Sequence, residues 1–236
     1  MNISNKTIIW DIVAYDYKTA SVFKKYGIDF CCNGNRSIEE ACNDKDINNS
    51  KLIIELNEIL HKLTDNSINY TIRPLDLLVD YIEKTHHRYV KNKIPEISAY
   101  LTKIVKVHGD RHPELIKIAK LFAESANDIT THMEEEETGI FPLIRKLIIN
   151  WSDDQNNNIS IGQIKLDIKS RMHEHDIEWE RFREIAKLTN NYTPPSDSCN
   201  TYRVTFAMLQ EYENDLHLHI HLENNILFPR SITSEN

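Results

Sequence analysis

Long apolar runs are missing from this sequence. Hydrophobic residues make up 40% of its 236 positions, yet no stretch approaches the roughly 18 apolar residues that a membrane span needs. No membrane role is expected. The opening "MNISNKTIIWDIVAYD" has no basic segment followed by an apolar one, so no signal peptide is expected either. An excess of positive charge is also absent. The net charge of −8 argues against bulk binding of nucleic acid. Glycine and proline are scarce, at five and seven, which suits long helices joined by short loops. Cysteines number four, and two of them, Cys31 and Cys32, are adjacent. Adjacent cysteines rarely bridge each other because the geometry is strained. Free thiols in a reducing cytoplasm are the expectation.

What is present organises into two parts. Residues 1–65 form a short helical unit. Asp16 to Tyr26 reads as a helix capped by Asp16 and stopped at Gly27, and "IDFCCNGNRS" follows as a turn. Ser37 and Glu40 form a capping box for a second helix. Asn48 to Leu63 reads as a third, with Leu52, Leu56, Ile59 and Leu63 on one face. Residues 66–74 are polar and end in Pro74, as a linker would. From there to residue 236, four amphipathic segments follow: Leu75–Val107, with a kink or break expected at Pro95; Pro113–Ile149, interrupted at Pro142; Ile161–Thr189; and Ser198–Leu227. No strand alternation is evident. The fold class expected is all-α, with an up-down-up-down four-helix bundle in the second part.

One phrase is written twice. "HMEEEETGIFP" and "HIHLENNILFP" align on Phe-Pro, so His132 falls on His219, Glu136 on Glu223, Phe141 on Phe228 and Pro142 on Pro229. Residues i and i+4 share a helix face, so each phrase offers one imidazole and one carboxylate side by side. His87 lies 45 residues before His132, and His175 lies 44 before His219. Two half-sites, each a His followed by His-x-x-x-Glu, would bring four His and two Glu together. Two carboxylates can bridge two cations. Imidazole and carboxylate suit iron, manganese or zinc, and the lack of thiolates in the set argues against an iron–sulfur cluster there. Ferritin-like sites differ, using Glu-x-x-His and more carboxylates.

Helical phase leaves several choices open. With Val79, Ile82 and Tyr89 inward, His86 fits at least as well as His87. His173 competes with His175, and His217 and His221 compete with His219; only His219 superposes on His132. Glu135 and Glu137 are expected in solvent, His108 and His112 in a turn, His61 at the surface, and Cys42 and Cys199 in structural roles.

These stretches, with "YGIDFCCNGNRSIEEAC", "THH", "VHGDRHPEL", "MHEHD" and "YTPPSDSC", resemble the iron–sulfur cluster repair di-iron proteins, also called repair of iron centres. The resemblance covers nearly the whole chain. It departs at Asn33, where a glycine is often found. It implies a small cysteine-pair domain and a hemerythrin-like bundle holding two non-haem irons, oxo- and carboxylate-bridged. The ligands it implies are His87, His132, Glu136, His175, His219 and Glu223, which decides for His87 over His86. The function it implies is repair of iron–sulfur clusters damaged by nitrosative or oxidative stress, through iron donation rather than conventional enzymatic turnover. Cys31 and Cys32 would contact the client or hold iron in transit, and the nearby helix beginning at Ser37 would lower a thiol pKa. The competing function is nitric oxide or oxygen chemistry: binding, sensing or a nitric oxide reductase-type activity. Hemerythrin-like oxygen carriers use five His, so four His leave a more open site. Expected partners are damaged iron–sulfur proteins and small diatomic ligands, with the cysteine pair reaching the metal within one chain or across a homodimer.

Overall fold

The computed structural model describes residues 1–61, 70–151 and 161–233, leaving aside the side chains at 61, 149–151 and 161. Among these residues the chain is helical, and the sole β pairing is an isolated antiparallel bridge between Ile8 and Ser37. No helix among them is long and apolar enough to cross a membrane. Two compact units are formed, one by 1–78 with 218–236 and the other by 79–217. The division therefore falls within a helix and assigns the last residues to the N-terminal unit. Residues 66–69 of the expected linker and Leu63 lie outside the described residues.

In the first unit, α1 (Ile9–Tyr15) is a helix that the sequence reading did not anticipate. Asp16 then caps a 3-10 turn, Tyr17–Thr19, by accepting the Lys18 N–H at 3.0 Å, and α2 (Ala20–Lys25) follows. Gly27 ends α2 in the left-handed region at φ 63°. The Gly27 N–H bonds the Lys24 carbonyl and the Ile28 N–H bonds the Phe23 carbonyl, the paired pattern a helix-ending glycine permits. Helix α3 (Ile38–Asn43) carries the expected capping box, with Ser37 and Glu40 bonded reciprocally. Helix α4 (Asn49–His61) buries Leu52, Leu56 and Leu60, while Ile59 stays half-exposed. Ile9, Ile12, Phe23, Ile28, Phe30 and Ile38 complete this core.

The second unit is built on α6 (Arg88–His108), α7 (Glu114–Glu135), α9 (Ile161–Leu188) and the first eighteen residues of α10 (Asn200–Leu222). Tyr212 on α10 packs against Tyr89, Phe122 and Phe182, one ring from each of the other three helices. Pairings fix the directions. Lys117 meets Glu184, Ser125 meets Glu178 and His132 meets His175, so α7 and α9 run antiparallel. Tyr89 with Tyr212 and His86 with Asp215 make α6 and α10 antiparallel. Trp179 with His217 and Phe182 with Tyr212 do the same for α9 and α10. This is the up-down-up-down order.

Pro95 does not break α6, which runs through it. The irregularity lies earlier, in a π-helical segment, Ile82–His87, between α5 (Leu75–Tyr81) and α6. Two more π segments occur, Glu136–Ile140 before α8 (Phe141–Trp151) and Glu223–Leu227 before α11 (Phe228–Ile232). In each, a backbone N–H reaches five residues back: Arg88 to Glu83, Phe141 to Glu136 and Phe228 to Glu223. Such wide turns are uncommon and concentrate at functional sites.

Candidate metal centre

All three π segments carry candidate ligands. His87 ends one, and Glu136 and Glu223 begin the other two. The side chains of His87, His132, Glu136, His175, His219 and Glu223 are all buried. The i, i+4 reading holds twice with the same atoms in contact. His132 Nε2 lies 3.1 Å from Glu136 Oε1, and His219 Nε2 lies 2.9 Å from Glu223 Oε1.

In the second unit, four expected ligands converge. His87 Nε2 stands 3.5 Å from Glu136 Oε2, and His175 Nε2 stands 3.0 Å from His132 Nε2. The outer nitrogens explain the orientation. His132 Nδ1 is 2.6 Å from Glu174 Oε2, and His87 Nδ1 is 2.8 Å from Glu137 Oε1. An ionised carboxylate only accepts, so each imidazole carries its proton on Nδ1 and donates it outward. Each Nε2 then presents a lone pair toward Glu136. Lone pairs and a buried carboxylate facing one another repel unless the imidazoles take up protons or a cation sits among them. A set of nitrogen and oxygen donors without sulfur fits iron, manganese or zinc.

Cations hold the supporting carboxylates in turn. Arg171 donates to Glu174 at 2.7 Å, and Lys91 donates to both oxygens of Glu137 at 2.9 and 3.0 Å. The hydrogen bond from His132 and the charge of Arg171 hold Glu174 below the usual carboxylate range. Burial raises Glu137, but Lys91 and His87 outweigh it and hold that group low as well. Carboxylates that orient a ligating imidazole in this way are common around bound metals. Glu137 is therefore not the solvated residue expected from the sequence. Glu135 is, apart from an ion pair with Arg171. Glu174, Arg171 and Lys91 were missed: beyond the local Arg171–Glu174 pair, they meet His132, Glu135 and Glu137, which lie 42, 36 and 46 positions away.

The competing histidines find other places. His86 is buried but bonds Asp215 at 3.0 Å and packs on Tyr81. His173 is exposed. His217 lies on the Trp179 ring, 4.2 Å between centroids. His221 is paired with Asn225, and burial lowers its pKa to about 3. A cleft of about 320 Å³ opens along α7 and α9, with His132, Glu135, Glu174, His175 and Glu178 on its wall.

The cysteine turn belongs to the first unit. Asp29 accepts the N–H groups of Cys31 and Cys32 at 3.1 and 2.9 Å and the Asn33 amide at 2.6 Å. Ligand atoms of Asp29, Cys31 and Cys32 lie within 4.8 Å of one another. Cys31 is buried and Cys32 partly exposed. Burial, with Cys32 beside it, pushes the Cys31 thiol well above its ordinary value, contrary to the lowering expected from the helix at Ser37. Desolvation outweighs a dipole from a helix of only six residues. Asn224, next to Glu223, approaches the Cys31 carbonyl at 3.5 Å and Cys32 Sγ at 3.9 Å.

Comparison with known proteins agrees with this geometry. The hemerythrin HHE cation-binding domain matches residues 78–231, and ScdA_N, described as a domain of unknown function, matches residues 5–60. The iron-sulfur cluster repair protein ScdA of Staphylococcus haemolyticus is 34% identical over 226 residues, covering 96% of this chain and 98% of its own. ScdA of Staphylococcus epidermidis is 31% identical over 229 residues, covering 97% and 99%. The iron-sulfur cluster repair protein YtfE of Musicola paradisiaca is 30% identical over 218 residues, covering 92% of each chain. The chain belongs to the hemerythrin HHE cation-binding family and, within it, to the group that includes the iron-sulfur cluster repair proteins ScdA and YtfE.

Proposed function

We propose that this protein repairs iron–sulfur clusters damaged by nitrosative or oxidative stress, donating iron from a di-iron centre. His87, His132, Glu136, His175, His219 and Glu223 would hold the two irons. The observation that carries the reading is the inward-facing lone pairs of His87 and His132 on buried Glu136, with both outer nitrogens bonded to carboxylates. His219 and Glu223 repeat the same contact, and the single cation-binding domain match spans all six residues. Iron is chosen among the metals that suit these donors because of the relatives' names. When bound, it would supply an exchangeable redox metal. Glu174 and Glu137 keep the imidazoles aimed and Nε2 free of its proton. Asn224 ties the cysteine turn to the segment that begins with Glu223. Cys31 and Cys32 would meet the client or hold iron in transit.

In this reading residues 1–65 form the cysteine domain, 66–74 the linker and 75–236 the metal domain. The protein works in the cytoplasm, and the thiols approach the metal within one chain or between two chains of a homodimer. The test is metal analysis of anaerobically purified protein, with its visible spectrum, beside His132→Ala combined with His219→Ala. About two irons per chain, lost in the variant, support the centre; zinc, or iron retained by the variant, sinks it. Restoration of a damaged dehydratase should then fail with Cys31→Ala combined with Cys32→Ala.

A second reading, nitric oxide or oxygen chemistry at the same centre, is favoured by the cleft that reaches His132 and His175. Rapid mixing of the reduced protein with nitric oxide decides it: a nitric oxide-dependent spectral change is expected, and no change removes the idea.

A further inference from the structure

The wide turn that ends at His87 differs from its two counterparts in what holds it. In each of those, a proline stands just after the residue whose N–H reaches five back, Pro142 after Phe141 and Pro229 after Phe228. Proline has no N–H to donate, so the sequence itself takes a bond out of the helical ladder. In Ile82–His87 the corresponding place is held by Tyr89, after Arg88, and the sequence takes no such bond away. Another helix grips this turn. Arg145 on α8 donates to both carboxylate oxygens of Glu83, at 3.2 and 2.8 Å, and to Asp80 at 2.7 Å. The Glu83 carbonyl is the acceptor that the Arg88 N–H reaches across the wide turn. The guanidinium therefore fastens the residue on which the turn closes. Phe141 lies one turn before Arg145 on the same face of α8, and its ring stacks on His87 at 5.6 Å and 21°. One helix thus holds the segment at Glu83 and at His87.

The place of this turn decides where His87 points. Val90, Ile97, Leu101 and Ile104 are buried on one face of α6, and their spacing counts back to His87. Val79 and Ile82 are buried as well, but their spacing counts forward to His86. The extra residue in the turn brings both imidazoles inside, His87 Nε2 at 3.5 Å from Glu136 and His86 Nδ1 at 3.0 Å from Asp215. Were the turn to slip along the helix past His87, that residue would join the register of Val79 and Ile82. It would then swing by about 100°, away from Glu136. We infer that Arg145 is a positioning residue of the metal centre: by fastening Glu83 it keeps the wide turn in place and holds His87 on Glu136. The inference rests on the metal reading above. Arg145 acts through Glu83, not as a ligand.

The experiment measures the ferrous iron affinity of the full chain by anaerobic chelator competition, in a double-mutant cycle. Arg145→Ala should weaken binding about tenfold in the native chain, the low end for a group that orients a ligand. It should do so again on a His175→Ala background, but by less than about twofold on a His87→Ala background, where the residue it positions is gone. A general loss of folding would weaken all three alike, and thermal unfolding of the metal-free variants reports folding directly. If Arg145→Ala does not fold, Glu83→Gln, which keeps the carbonyl and removes the charge, decides by the same pattern with about a threefold loss. An equal loss on the His87→Ala and His175→Ala backgrounds, or no loss in the native chain, overturns the inference and leaves the metal reading standing. His87→Ala that by itself leaves the affinity unchanged overturns that reading, and this inference with it.

Discussion

Replacing Glu174 by Gln tests the carboxylate–imidazole geometry without touching a proposed ligand. Glu174 stands 2.6 Å from His132 Nδ1 and shares its oxygen with Arg171 at 2.7 Å. Gln keeps an oxygen that can accept from Nδ1–H but loses the charge that makes Nε2 a stronger donor. Loss of such supporting groups lowers metal affinity about 10- to 100-fold. Arg171 already offsets part of the Glu174 charge, and the side chain is 37% exposed, so the low end is expected. That is about tenfold, or about 1.4 kcal/mol. Glu137→Gln, which acts on His87 and leaves Lys91 without its carboxylate, should fall in the same range. The assay is anaerobic competition for ferrous iron against a chelator of known affinity, with thermal unfolding of the metal-free proteins alongside. Glu180→Gln, at an exposed residue paired only with Arg183 among the contacts seen, is the control. Unchanged affinity in both Glu174→Gln and Glu137→Gln would refute the assignment of Nε2 as the donor. A loss matched by the metal-free melting temperature would mean that folding, not ligation, had been perturbed.

Other outcomes follow from single local features. Ser37→Ala removes the acceptor for the Glu40 N–H and should cost about 1 kcal/mol in urea unfolding. The Ser37 backbone N–H holds Glu40 below its ordinary pKa. A lowered carboxylate stabilises above its unfolded value of about 4.3 and ceases to do so as pH falls through the folded one. The stability gap between the native chain and Glu40→Gln should therefore close on acidification below about pH 4, and a gap that widens would contradict this. At Gly34 an added Cβ would sit 2.2 Å from the Phe30 carbonyl oxygen. Gly34→Ala should thus cost about 1–3 kcal/mol of stability in urea unfolding, whereas an unchanged midpoint would show that this turn yields freely. At Gly139 nothing lies within 4 Å of an added Cβ, so Gly139→Ala should raise stability by about 0.5–1 kcal/mol with iron content unchanged; lost iron would mean that the π segment needs its glycine.

The legible parts of the sequence were those set by neighbours in the chain. The capping box at Ser37, the stop at Gly27 and the His-Glu pairs at i, i+4 all depend on spacings of a few residues, and the structure has them. Phase failed at His86 and His87 because a 3.6-residue period does not apply through Ile82–His87, whose wider turn buries both. Glu174, Glu137 and the pairing of His108 with Cys199 were hidden for another reason. Their partners stand 42, 50 and 91 positions away, and nothing local marks an exposed-looking Glu or Cys as a partner. Burial of Cys31, which reverses the expected thiol shift, is likewise a product of packing.

The repeated phrase is also where the two halves differ. Aligned on Phe-Pro, both keep the His, the Glu, the five-residue reach of the Phe N–H and the Pro that follows. Pro cannot donate an N–H, so in both halves the ladder loses a bond just after the wide turn. Gly139 of one half corresponds to buried Ile226 of the other, and both form the same turn, so glycine does not cause it. What the two turns share in sequence is the frame from Glu to Phe-Pro. The residue after the carboxylate has diverged. In one half it is Glu137, which aims His87. In the other it is Asn224, which approaches Cys31 and Cys32. The two copies of the phrase thus give this position to an imidazole in one case and to the thiols in the other. Asn224 is the residue through which the second copy of the phrase meets the cysteine turn.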